Sequence, residues 1–154
     1  TIEYEAEIVV RVCRLGKSIS ERFASRYYDA VTVGIDFTAR DLLRKLSQQG
    51  LPWDMSKSFD GAAALGEWVS KDKFLDIQRL RFHLDVNGET KQEGCTSDMI
   101  YKVDEIISYI SRFFTLKTGD LIYTGCPTSG FPIHINDRLE GYIEERKVLD
   151  LHCK

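Results

Sequence analysis

No apolar run in these 154 residues approaches the roughly 18 that a membrane-spanning helix needs, so a helical membrane protein is excluded. No signal peptide opens the chain. The sequence begins at Thr1 without a methionine and turns strand-like at once, so an upstream segment is expected to be missing from it. No basic stripe exists: 21 Lys and Arg are scattered among 24 Asp and Glu, for a net charge of −3. That excludes nucleic acid and an anionic membrane surface as main partners. None of the four cysteines, Cys13, Cys95, Cys126 and Cys153, forms a C-x-x-C or groups with a histidine at zinc-ligand spacing. They read as reduced thiols of a cytoplasmic protein. The three histidines, His83, His134 and His152, sit at alternate positions of apparent strands and read as strand-face residues rather than catalytic bases. There is no internal repeat and no low-complexity tract. The length is that of one domain able to bury a core.

What is present is a pattern of acids on strands. Ile2-Glu3-Tyr4-Glu5-Ala6-Glu7-Ile8-Val9-Val10 alternates polar and apolar, the period of a half-buried strand. Side chains two apart on a strand share a face, so Glu5 and Glu7 stand side by side with no base between them. A second run, Val31-Thr32-Val33-Gly34-Ile35-Asp36-Phe37, carries one carboxylate in otherwise apolar or neutral company. A carboxylate in such surroundings neutralises or finds a cation. Three of them converging would suit a hard divalent ion such as Mg²⁺, Mn²⁺ or Ca²⁺. The pattern alone leaves a second reading open, in which Glu5 and Glu7 are the wet face of a sheet and Asp36 is a turn or cap.

Downstream, Leu15-Gly16-Lys17-Ser18 breaks the first strand, and 19–28 is a short mixed segment of one or two helical turns. Thr38 is placed to cap a helix over 39–49, with Leu42, Leu43 and Leu46 as its apolar stripe and Gly50 as its stop. The 51–68 stretch is rich in Gly, Ala, Ser and Asp without a clean period, and loops of that length usually have a function. Leu80 to Val86 alternates strictly into Asn87-Gly88, a strong hairpin signal, with the return over 89–93. A helix is expected over 104–114, with Ile106, Ile107, Ile110, Phe113 and Phe114 on one side. A short buried strand, 121–125, runs into a Pro/Gly/Ser loop over 126–132, and Asn136-Asp137 turns into two closing strands, 138–143 and 147–152. Many strands with few helices indicate a β-rich α+β domain.

The stretches Tyr4-Glu5-Ala6-Glu7-Ile8, Gly34-Ile35-Asp36-Phe37-Thr38-Ala39-Arg40-Asp41, Lys57-Ser58-Phe59-Asp60, Gly94-Cys95-Thr96-Ser97-Asp98-Met99-Ile100 and Thr124-Gly125-Cys126-Pro127 occur in this order. Together they resemble the fumarylacetoacetate hydrolase family, most closely its small single-domain acylpyruvate hydrolase and oxaloacetate-processing branch. The resemblance covers essentially the whole chain, 1–154, as one catalytic domain. It implies a mixed β-roll or β-sandwich fold, a homodimer, and an Mg²⁺ or Mn²⁺ site with Glu5, Glu7 and Asp36 as ligands. It further implies that Lys57 acts in catalysis on a small anionic 2-oxo acid, and that Arg40, Lys57 and Thr124 bind that substrate. From the residues alone, Lys57 could be a surface lysine, Arg40 could pair with Asp41, and Thr124 could be a plain strand residue.

The implied activity is metal-dependent cleavage of a C–C bond in an acylpyruvate-type acid through an enolate. Oxaloacetate decarboxylation or keto–enol tautomerisation would use the same enolate. A metal-binding domain with little catalysis is the third possibility. The sequence departs from the branch at Leu43, where a substrate-binding glutamine is usual, and in the loop Thr128-Ser129-Gly130-Phe131. The branch's general acid–base His and Glu lie upstream of the Glu-x-Glu strand, on a segment this sequence does not contain.

Overall fold

The alternation at the start of the chain does what its period demands. In the computed structural model, which describes residues 1–154, the first strand is β1, Ile2–Val12. Tyr4, Ala6, Ile8, Val10 and Val12 all turn into the core from one of its faces. After a four-residue helix α1, Glu21–Ala24, the chain returns as β2, Tyr28–Ala39, antiparallel to β1 over its whole length. Helix α2, Arg40–Gln48, follows directly, then β3, Ala63–Leu65, and β4, Val69–Ser70. Next come β5, Arg81–Val86, β6, Glu89–Cys95, and helix α3, Val103–Phe113. The chain ends with β7, Leu121–Tyr123, β8, Phe131–Pro132, β9, Arg138–Ile143, and β10, Arg146–His152.

Two antiparallel sheets result. The first runs β3-β2-β1-β7, with β4 also on β2 and β8 also on β1; the second runs β10-β9-β5-β6. One hydrophobic cluster joins Ile8, Val10, Val33 and Ile35 of the first sheet to Phe82, Leu84, Leu139 and Ile143 of the second. This is the expected β-rich α+β sandwich. The Asn87-Gly88 turn has positive φ at both residues, 54° and 82°, as a two-residue hairpin with right-handed strand twist requires. No helix is long and apolar enough to cross a membrane.

Local expectations fail in four places. Thr38 caps nothing: it is a fully buried residue of β2, and Ala39 stands at the helix N-cap without a side-chain bond. Strand pairing to Glu3 extends β2 past the point where a cap could form. Leu42, Leu43 and Leu46 are only half-buried, because α2 lies at the sheet margin and covers no core. On α3 the buried line is Val103, Ile107 and Ser111, a strict i, i+4, i+8 row. Phe113 and Phe114 fall off that row and are 62% and 67% exposed. His134 lies outside any strand, and its carbonyl accepts from the Asp137 N–H at 3.2 Å at the start of a turn.

The sheets meet tightly at Gly66, whose N–H donates to the Val33 carbonyl at 3.0 Å while the next N–H, of Glu67, donates to the Val148 carbonyl at 2.6 Å. A Cβ at Gly66 would lie 2.4 Å from the Val148 oxygen, a backbone atom that cannot swing aside. Gly66→Ala is therefore expected to destabilise by about 1–3 kcal/mol, or roughly 2–12 °C in melting temperature. Thermal denaturation followed by circular dichroism measures this; an unchanged midpoint would show that the junction yields freely.

Candidate active site

The β1–β2 register sets the site. Glu5 lies directly opposite Asp36, and Glu7 opposite Gly34. Residues opposite one another share a face, as do residues two apart, so Glu5, Glu7 and Asp36 project together from the face away from Tyr4, Ala6 and Ile8. Glu3 joins them, two residues before Glu5 and opposite Thr38. The Glu3-x-Glu5-x-Glu7 spacing carried that signal in the sequence, where only the second and third acids were singled out.

On its other edge β1 is paired twice and open in between. It holds β8 at Glu3 and Tyr4 and β7 from Val9 to Arg11. The 124–130 loop crosses the open stretch. The Thr124 N–H and hydroxyl both donate to the Ile8 carbonyl, at 3.2 and 2.7 Å. The Gly125 N–H donates to Glu7 Oε2 at 2.6 Å, from a backbone at φ 96° that favours glycine. At the far end Gly130 passes so close that a Cβ there would lie 3.2 Å from Glu5 Cγ and 3.3 Å from Arg40 Nη2. The loop thus touches the acidic cluster at both its ends.

Two cations face the acids. Lys57 follows a 3₁₀ turn, Asp54–Ser56, and its Nζ donates to Asp36 Oδ2 at 2.7 Å and Glu5 Oε2 at 3.0 Å. Lys57 thus stands within the acidic cluster, reached from a stretch whose sequence had no period. Arg40, on the first turn of α2, donates from Nε to Glu3 Oε2 at 2.6 Å and holds Nη2 3.6 Å from Glu5 Oε1. It faces the cluster and does not pair with Asp41. Thr38, the failed cap, has its hydroxyl 3.4 Å from Glu5 Oε2.

The charge balance is uneven. Burial pushes the Glu7 carboxyl up to about 7; the Gly125 N–H pulls it back, and the neighbouring Asp36 and Glu5 charges push it higher. Burial works against the Lys57 charge, but its bonds to Asp36 and Glu5 prevail and hold its pKa above the usual lysine range. The Tyr123 hydroxyl, which donates to the Ala64 carbonyl at 2.9 Å, is pushed up to about 12 by burial and then by Glu7 and Asp36. Burial also raises the Cys126 thiol, with Glu5 and Glu7 adding to the effect. Sequence reasoning missed Tyr123, Cys126 and the buried Gln92, whose neighbours are set by long-range folding alone.

As the side chains stand, no three of these carboxylates converge on a single point, because the Lys57 ammonium bridges Glu5 and Asp36. The donor set still fits a hard divalent ion. It offers three carboxylates on one face, and Glu7 is driven toward neutrality for want of positive charge. A cavity of about 560 Å³ adjoins the cluster, lined by Ile8, Met99, Ile106, Thr124, Gly125 and Pro127 among others. The carboxylates and Lys57 do not line it, so Thr124 and Gly125 stand at the junction. Leu43 lines none of the main cavities.

The raised Glu7 carboxyl has a pH consequence for the metal-free protein. The folded chain keeps a proton on Glu7 that the unfolded chain releases between pH about 4.5 and 7, so this group's contribution falls as pH rises through that window. The full loss is on the order of 3 kcal/mol. Glu7→Gln, neutral at every pH, should match wild type near pH 4.5 and exceed its stability by about that amount near pH 8. Denaturant titrations in the presence of a chelator read this directly, and a difference that does not grow with pH would contradict it.

The family model for the fumarylacetoacetate hydrolase C-terminal domain matches residues 1–153. The chain is 41% identical over 143 residues to "Oxaloacetate tautomerase FAHD1, mitochondrial" of Mus musculus, covering 93% of this chain and 65% of that protein. Among solved structures, a Yersinia pestis CO92 protein ascribed to the same family superposes with a TM-score of 0.94 at 32% identity, over 100% of this chain and 70% of that one. A fumarylpyruvate hydrolase from Pseudomonas aeruginosa, solved in complex with Mn²⁺ and pyruvate, superposes at 0.90 with 30% identity, over 99% of this chain and 66% of that one. The chain spans about 65% of the length of the curated relatives it matches. With a two-sheet fold and an acid-and-lysine cluster on β1, β2 and the Lys57 loop, this chain belongs to the fumarylacetoacetate hydrolase family.

Proposed function

We propose that this domain binds one divalent ion, Mg²⁺ or Mn²⁺, through Glu5, Glu7 and Asp36 and acts on a small 2-oxo acid by way of its enolate. The observation that carries the reading is the Glu5–Asp36 register with Glu7 alongside, three acids sharing one face with Lys57 and Arg40 against them. The ion would supply Lewis acidity to the keto oxygen and hold the adjoining carboxylate. Lys57 keeps its proton well above neutral pH, so it serves as a hydrogen-bond donor and positive charge for a developing oxyanion, and not as a base. Arg40 presents a planar guanidinium suited to a carboxylate. Thr124 spends its proton on the Ile8 carbonyl, which leaves its oxygen free to accept a bond from a protonated group of the ligand.

Keto–enol tautomerisation of oxaloacetate is the reading we favour. It is supported by the name of the 41%-identical mouse relative. C–C hydrolysis of an acylpyruvate is the second reading, supported by the likeness to the Pseudomonas fumarylpyruvate hydrolase.

Mn²⁺ or Mg²⁺ should raise the melting temperature, since an ion bound only by the folded state stabilises it, and Asp36→Ala should abolish most of that gain. Equal shifts in both proteins would sink the metal assignment. With metal saturating, Lys57→Ala should lower kcat on oxaloacetate enol or acetylpyruvate by about 10²-fold or more, the scale of one lost electrostatic stabiliser. Turnover within a few-fold of wild type would remove Lys57 from the chemistry, and the preferred substrate decides between the two reactions.

A further inference from the structure

β6 is an edge strand of the second sheet, and only one of its side chains is buried: Gln92, at 1% exposure. A buried amide is costly unless its hydrogen bonds are met, and an apolar side chain of similar volume would fill the same space. The Gln92 bonds are met, and their partners are informative. Oε1 accepts from the Ala6 N–H at 2.9 Å, and Ala6 is the residue between Glu5 and Glu7. Nε2 donates to Thr128 Oγ1 at 3.1 Å and the Ser129 carbonyl at 3.3 Å, with Cys126 Sγ at 3.4 Å. The amide's orientation is fixed by chemistry, since an N–H can only donate and a carbonyl only accept.

These contacts lie where β1 has no strand neighbour, in the gap between β7 and β8. The loop across that gap is pinned at one end by Gly125 on Glu7 and packs at the other through Gly130 against Glu5 and Arg40. Gln92 ties its middle to the middle of the acid-bearing strand. We propose that Gln92 is a positioning residue, which sets how closely residues 126–129 stand over the acidic cluster and so sets affinity for the substrate's carboxylate end. The acids themselves are held by the β1–β2 ladder, which runs the length of both strands without Gln92. Substrate affinity and ion affinity should therefore separate. This inference rests on the reading of the cluster as a metal-dependent 2-oxo acid site.

Titration calorimetry on the full-length protein tests it, with Mn²⁺ as the first probe and pyruvate, added to the Mn²⁺-loaded protein, as the second. Gln92→Met keeps the volume and removes every bond. It is expected to weaken pyruvate about tenfold or more, because a small misplacement of binding groups costs that much, while Mn²⁺ stays within about threefold of wild type. Thr128→Val, on an exposed residue, removes the 3.1 Å acceptor and spares the Ala6 bond, so it keeps the test open if Gln92→Met fails to fold. It should weaken pyruvate about threefold or more, again with Mn²⁺ little changed. Pyruvate affinity unchanged in both variants, or Mn²⁺ and pyruvate weakened in parallel, overturns the positioning role alone. Failure of the wild type to bind Mn²⁺ overturns the metal reading and this inference together.

Discussion

The pairing of Glu5 with Asp36 across β1 and β2 is the constraint on which the rest of the site depends. A slip of one residue in that register would turn Asp36 to the core face and put an apolar side chain beside Glu5 and Glu7. The register is held because both faces of β2 are almost fully buried, so every alternative pairing would push a charge into the core or Val33 and Ile35 out of it. The packing that makes the sandwich stable is thus also what gathers three carboxylates on one face.

Gathering like charges has an electrostatic cost, and the fold meets it from two separate elements. Lys57 arrives from the loop beyond α2 and bridges Glu5 and Asp36, while Arg40 leans back from the first turn of α2 onto Glu3 and Glu5. Glu7 is left with a backbone N–H as its direct partner and the least contact with water, and its carboxyl rises accordingly. A cluster of acids only partly balanced by Lys57 and Arg40, and still short of positive charge, has the donor chemistry that suits a divalent cation. The open edge of β1 between β7 and β8 completes the design. It exposes backbone groups that a neighbouring strand would have consumed, and the 124–130 loop and Gln92 take them instead.

Much of this was legible in the sequence, and the residues show why. Period-two alternation fixed β1, β5 and their inward faces, Asn87-Gly88 fixed the hairpin, and motif resemblance named Glu5, Glu7, Asp36, Lys57, Arg40 and Thr124 together. The failures share a cause. Thr38 looked like a cap because local chemistry favours one, but pairing with Glu3 overrode it. Phe113 and Phe114 looked like a core stripe, but the buried row of α3 is chosen by what it packs on, and they lie outside it.

By itself, then, the sequence determined strand periods, turn positions, family membership and which acids share a face, because each follows from neighbours a few residues apart or from motifs read in order. Tertiary structure decided that Lys57 reaches the acids across 21 and 52 residues of chain, and that Gln92 from the opposite sheet fills the gap in β1. It also decided the protonation of Glu7, since desolvation depends on what folds over a side chain, and no local pattern records that.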